Sequence, residues 1–152
     1  MNTLDHESPG LTDQLRRLSL EQRRQALTKA AIASSRQISN LEPQIRRLLE
    51  SAARDNALSV EQIAEATAYA EEADDRYFQL QEQGAAEAIW KTWFAKSRLA
   101  TGIINLFGGM SWQDAADAAY ELCFTQDNKP AAIALVRAQI EAAANHDRGA
   151  AR

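Results

Sequence analysis

Apolar residues recur along most of the chain at the three- and four-residue spacing of amphipathic helices. The pattern is densest over residues 85–107, where Ile89, Trp93 and Ile104 share one face and other apolar side chains fall on nearly every remaining side. A helix that is apolar almost all round has no side to turn towards water, so it is usually buried. We therefore expect residues 85–107 to form the central helix of a bundle.

Start and stop signals divide the rest of the chain into further helices. Pro43 suits a first helical turn, and Gly108 with Gly109 suits a left-handed end to the central helix. No segment shows the strict alternation of a strand. The sequence therefore predicts an all-α, single-domain bundle of about six helices. Three helix starts carry a serine followed three residues later by a glutamine or aspartate, the pattern of a capping box: Ser19/Gln22, Ser59/Gln62 and Ser111/Asp114.

The two ends of the chain lack the helical pattern. Residues 1–10 are mostly polar and close with Pro9-Gly10, and residues 146–152 follow the last apolar positions. We therefore expect flexible tails at 1–10 and 146–152, flanking a helical domain over residues 11–145.

Composition supports a folded, soluble protein. Apolar residues make up 45% of the 152 residues and charged residues 25%, so the chain can bury a core without a disulfide or a metal. The single cysteine cannot form an internal disulfide. No apolar run resembles a signal peptide or a membrane span. We expect a cytoplasmic protein without a cofactor and without a membrane partner.

Charge is distributed unevenly along the chain. Residues 1–54 hold nine basic and six acidic side chains, for a net charge of +3. Residues 55–87 hold nine acids and only one base, for a net charge of −8, and residues 88–152 hold seven bases and six acids. The middle segment is therefore the electrostatic landmark of the sequence. Its predicted helix carries the candidate partner-binding residues: Glu61, Glu65, Glu71, Glu72, Asp74 and Asp75.

The same carboxylates offer an alternative as a metal site. Glu71/Asp74 and Glu72/Asp75 are pairs three residues apart, which on a helix point to one side and can hold Mg²⁺. All-α nucleotide pyrophosphohydrolases use such a pair together with a Glu-x-x-Glu pair on a preceding helix. Residues 41–54 contain no Glu-x-x-Glu pair. A metal-dependent hydrolase therefore stays an alternative. A run of charged residues on a helix is more typical of a face that is exposed to solvent.

A second alternative is a DNA-binding regulator. Residues 58–67 resemble the first helix of a helix-turn-helix reader, and arginine pairs at 16/17, 23/24 and 46/47 offer positive charge. The segment in the place of a recognition helix is acidic, however, and carboxylates repel phosphates. The arginine pairs are more typical of helix flanks that form ion pairs with a neighbour, for which the acidic helix is the obvious partner.

Nucleophilic catalysis finds no support in the sequence. His6 and His146 fall in the predicted tails, and Cys123 falls on an apolar face, where a buried and inert thiol is expected. Phosphate-binding and nucleophile-elbow motifs are absent. We therefore predict no catalytic residues and favour a protein that is not an enzyme.

Aromatic residues form a second candidate surface. Trp90, Trp93, Phe94 and Trp112 are expected to belong to the core, with a ligand pocket or an interface as the alternative. A small bundle has little else with which to cover so much aromatic surface, so a second copy or a partner is a further possibility.

These observations favour a non-enzymatic, helical interaction module that binds a basic protein through an acidic helix. Acidic surfaces speed association with basic clefts and raise specificity. A bacterial inhibitor, such as an immunity protein that neutralises a nuclease-like toxin, is the class of protein that this charge distribution suits.

Overall fold

The computed structural model describes the backbone of residues 3–150 and the side chains of residues 4–145. This part of the chain is one helical bundle without a β-strand, which confirms the all-α prediction. It has more helices than the six expected, because two short helices precede the first long one. The helices are α1 (Thr3–Glu7), α2 (Leu11–Arg17), α3 (Leu20–Ser35), α4 (Pro43–Asp55), α5 (Val60–Glu82), α6 (Glu87–Gly108), α7 (Trp112–Leu122) and α8 (Lys129–Ala150).

The capping boxes predicted from the sequence set the starts of α3, α5 and α7. The Ser59 Oγ accepts a hydrogen bond from the Gln62 backbone N–H at 3.1 Å, and the Gln62 side chain accepts one from the Ser59 N–H at 2.9 Å. Equivalent pairs join Ser19 to Gln22 and Ser111 to Asp114. Each pair satisfies two backbone donors that a helix start otherwise leaves exposed.

Helix α6 is the central helix, but only part of it is buried. It packs against α5 on one side and against α7 and α3 on the other. Leu99, Ile103 and Leu106 are buried in the core, whereas the side chain of Ile89 is 50% exposed. The expectation of burial along the whole helix is therefore wrong for its first turns, which have α5 beside them but less of the bundle behind them.

The end of α6 differs in conformation from the prediction. Gly109 has φ of −133°, which is extended backbone and not the left-handed region. Glycine is needed there for space, since a Cβ at residue 109 would overlap the Asp114 carboxylate. That carboxylate accepts a hydrogen bond from the Ser111 N–H at 3.2 Å, so the turn between α6 and α7 depends on a residue without a side chain.

The packed domain begins before residue 11. Leu4 in α1 is fully buried, and the buried Ser8 hydroxyl accepts a hydrogen bond from Arg137 Nε at 3.1 Å. Residues 4–8 of the predicted tail therefore belong to the bundle; a single leucine among polar residues gave no periodic signal. At the other end, α8 continues to Ala150, past the predicted domain end at 145. The side chains of 146–152, which include His146, lie outside the described residues.

None of the helices described has the length and apolarity needed to cross a bilayer.

Candidate interaction surface on helix α5

Almost all of the contacts that bury helix α5 are on one side of the helix. Its buried residues are Ala66, Tyr69, Ala70 and Ala73, and they face α6 and the start of α4. The opposite side is open to solvent along all 23 residues of the helix. A long helix with one buried stripe is typical of amphipathic packing, in which the opposite side faces water.

Five of the six predicted partner-binding carboxylates lie on this open side. Each is exposed, and none has a salt bridge or a side-chain hydrogen bond within the part of the chain that the structure describes. We call this set the acidic stripe: Glu61, Glu65, Glu71, Glu72 and Asp75.

Asp74, the sixth predicted residue, is 40% exposed but forms hydrogen bonds within the protein. Its Oδ1 accepts hydrogen bonds from Ser97 Oγ at 2.5 Å and from Arg98 at 3.4 Å. Arg98 also donates to Glu121 Oε2 at 2.9 Å, so one guanidinium joins α5, α6 and α7. Burial raises the pKa of Glu121 despite this contact with Arg98. The Asp74 carboxylate is therefore engaged in hydrogen bonds within the protein, and its contact with a partner stays a prediction.

The arginine pair 23/24 does not neutralise the acidic stripe. Arg23 donates to the Leu18 carbonyl at 2.6 Å and to the Met110 carbonyl at 3.3 Å. Arg24 donates to the Gly109 carbonyl at 3.1 Å and lies over the Phe107 ring. These two arginines stabilise the turn after α6 by donating to backbone carbonyls of that turn, which have no hydrogen-bond partner within a helix. The expectation that they pair with the acidic helix is wrong.

The carboxylates do not assemble a metal centre in the described residues. No group of three or more His, Cys, Asp or Glu side chains there is arranged to hold a metal ion. Glu71 and Glu72 point to solvent, while Asp74 is turned towards Arg98. The acids are spread along the helix, which is the arrangement expected of a surface.

The predicted aromatic residues separate into two places. Tyr77 contacts Trp90 and Phe94 with ring centroids 5.7 and 5.2 Å apart, and this cluster fills the space between the end of α5 and the beginning of α6. Trp112 lies at the start of α7 with the Arg16 guanidinium 4.4 Å above its ring. All four predicted aromatic residues, including Trp93, are partly buried.

Two exposed apolar residues on α5 escaped the sequence analysis. Val60 is 81% exposed and Phe78 is 57% exposed. Both fall outside the buried stripe, and a lone apolar residue on a polar face gives no periodic signal. Two further exposed apolar residues, Ile89 and Met110, lie on α6 and in the turn that follows it.

A buried ion pair next to α5 was also unforeseen. Lys96 Nζ is 2.7 Å from Glu42 Oε1, and the Lys96 side chain is only 3% exposed. The Tyr69 hydroxyl donates to the other oxygen of Glu42, and the Trp93 ring centroid lies 4.0 Å from Lys96 Nζ. Burial alone raises the pKa of Glu42, but the hydrogen bonds from Lys96 and Tyr69 outweigh it and hold that pKa below its usual value. Burial and the bond to Glu42 raise the pKa of Tyr69. The group joins α4, α5 and α6, and its polar atoms satisfy one another.

Two other places with reactive or polar groups, a buried thiol and a surface cleft, offer fewer groups that are free to bind or react. Cys123 is buried, and burial raises the pKa of its thiol to about 12, so the inert thiol predicted from the sequence agrees with the structure. A cleft of about 380 Å³ opens beside the first turns of α6. Its charged side chains pair with each other, with Lys91 Nζ 2.7 Å from Asp127 Oδ1.

Comparison of the chain with protein-family models, with curated proteins and with solved structures found no match. The acidic stripe must therefore be interpreted from its own chemistry.

Proposed function

We propose that the chain is a non-enzymatic protein-binding module that captures a basic protein through the acidic stripe of α5. The observation that supports this most is the set of five exposed carboxylates on one helix without any ion-pair partner in the described residues. Carboxylates gathered on one side repel one another and favour a positively charged counterpart.

The class of partner follows from this charge. A run of carboxylates repels nucleic acid and anionic lipid, whereas it accelerates the approach of a basic protein surface and excludes acidic competitors. A protein with a positively charged cleft, such as a nuclease-like toxin, has the matching surface. A bacterial inhibitor of the immunity-protein type is the specific role that we propose for this chain.

The test is capture of a partner from the native host at low and at high salt, using three forms of the full-length chain. The first is the wild type. The second removes charge from the acidic stripe by Glu61→Gln, Glu65→Gln, Glu72→Gln and Asp75→Asn. The third changes net charge by the same amount at exposed acids elsewhere, by Asp13→Asn, Glu21→Gln, Glu50→Gln and Asp117→Asn.

We expect the wild type and the third form to recover the same basic protein at low salt and to lose it at high salt. The stripe variant should recover little of it under either condition. Equal recovery by the stripe variant, or a captured protein that is acidic, would contradict the proposed function.

A further inference from the structure

The two exposed apolar residues of α5 lie on one line along the helix. Val60 and Phe78 are 18 residues apart, which is five turns at 3.6 residues per turn, so both side chains leave the helix in the same direction. At a rise of about 1.5 Å per residue, roughly 27 Å separates them along the axis. Both are large apolar side chains in contact with water, and cover by a partner would remove that apolar surface from water.

The surface between these two residues is shallow. Ala64 and Thr67 lie close to the same line, and the Thr67 hydroxyl is turned back to the Ile63 carbonyl at 2.8 Å. Small side chains in the half of this line next to Val60 let another helix approach α5 closely there, while Glu71 presents a carboxylate in the half next to Phe78.

Among the described helices, α6 provides most of the cover of α5, and Tyr69 of α5 also contacts Glu42 just before α4. The hairpin of α5 and α6 therefore presents a two-helix surface beside which a third helix can lie in parallel or antiparallel orientation. Such a helix would cover Val60 and Phe78 together.

Charge decides which helix can occupy this face. Glu71 lies near the line between Val60 and Phe78, and the rest of the acidic stripe runs beside it. A second copy of this chain that used the same face would bring carboxylates against carboxylates, and like charges in contact are unfavourable. The occupant must therefore carry basic residues next to its apolar ones.

We infer that a basic amphipathic helix of the partner docks along α5, with apolar side chains covering Val60 and Phe78 and basic side chains facing the acidic stripe. This inference rests on the proposed function and adds to it the form of the partner: a helix of at least about five turns, by the span between the two anchors.

Synthetic peptides of about 22 residues provide a probe that does not require the native partner. One peptide is composed of leucine and lysine at helical amphipathic spacing, and a second has the same composition in an order without that spacing. Binding to the full-length chain is measured by fluorescence anisotropy. The variants are Val60→Ser with Phe78→Ser, and the matched control is Ile89→Ser with Met110→Ser, which removes two exposed apolar residues outside α5.

The amphipathic peptide should bind the wild type and the control alike, and the Val60/Phe78 variant should bind about tenfold or more weakly, because anchor side chains dominate such interfaces. The shuffled peptide should bind all forms weakly and equally. Circular dichroism melting of both variants checks that each is folded.

Equal binding of the two peptides, or an equal loss in the control variant, would overturn the inference. If the stripe variant loses the native partner while the Val60/Phe78 variant retains it, the docked helix is wrong and the proposed function stands. If both variants retain the native partner, both proposals fail.

Discussion

At the scale of single residues, Lys96 is the most deeply buried charged side chain of the described bundle, and it pairs with Glu42. An ammonium group that is only 3% exposed has lost nearly all of its water, and Glu42 is the carboxylate that compensates it. The pair contributes specificity more than net stability, since desolvation offsets much of the attraction. Removal of one partner lowers the stability of the folded state, because it leaves an uncompensated charge in the interior.

We predict that Glu42→Gln destabilises the protein by about 2 kcal/mol, less than for a fully buried pair because Glu42 is 35% exposed. The free energy of unfolding in urea measures this. The matched control is Glu50→Gln, an exposed acid on the same helix, which should change stability by less than about 0.5 kcal/mol. Equal effects of the two substitutions would mean that Lys96 finds another partner.

The same pair predicts a pH dependence. The pKa of Glu42 is lowered on folding, so its ionisation stabilises the folded state above the ordinary value of 4.5, and this stabilisation is lost as the pH falls below that value towards the folded pKa. The stability difference between the wild type and Glu42→Gln should therefore shrink when urea unfolding is repeated from pH 7 down to about pH 3.5. A stability difference that stays constant over this pH range would show that the ionised carboxylate of Glu42 does not stabilise the folded state.

At the scale of elements, the sequence predicts how helices begin better than it predicts what covers them. Capping boxes are local, since a serine and a glutamine three residues on satisfy each other whatever the rest of the chain does. Burial is a property of the whole packing. The apolar pattern of α6 is similar in sequence around Ile89 and around Leu99, but Leu99 is fully buried whereas Ile89 is 50% exposed.

The turn between α6 and α7 gives a test of local geometry. We predict that Gly109→Ala destabilises the protein by about 1 kcal/mol, because the new methyl group displaces the Asp114 carboxylate from the Ser111 cap. Thermal unfolding followed by circular dichroism measures the loss.

The neighbouring Gly108 is the control for this turn. A Cβ there meets nothing within 4 Å, so Gly108→Ala should be neutral or slightly stabilising through helix propensity. An equal loss at both positions would indicate that the backbone, and not the contact with Asp114, requires glycine.

At the scale of the whole molecule, the chain separates its charges. The acidic stripe extends along α5 from Glu61 to Asp75. In the basic first third of the chain, some arginines instead contact backbone carbonyls or aromatic rings, as Arg24 and Arg16 do. The position of the acidic helix was predictable because its charge run is contiguous in sequence. The hydrogen bonds of Asp74 within the protein and the exposure of Val60 and Phe78 were not, because each depends on where α6 lies against α5.

If the acidic stripe guides the partner, the association rate should depend on ionic strength. A partner guided by the acidic stripe should associate quickly at low salt and more slowly as the charges are screened, since the Debye length falls from about 30 Å at 0.01 M to about 10 Å at 0.1 M salt. Its dissociation rate should change much less, because rim charges act mainly on the approach of the two proteins.

The most direct test is the association rate of the captured partner with wild-type protein, the stripe variant and the charge-matched control, measured over this range of salt by surface plasmon resonance. We expect the wild type and the control to share a steep fall with salt, and the stripe variant to associate about tenfold more slowly at low salt with a nearly flat dependence. Identical curves for all three proteins would contradict the central claim that the acidic stripe of α5 guides the partner.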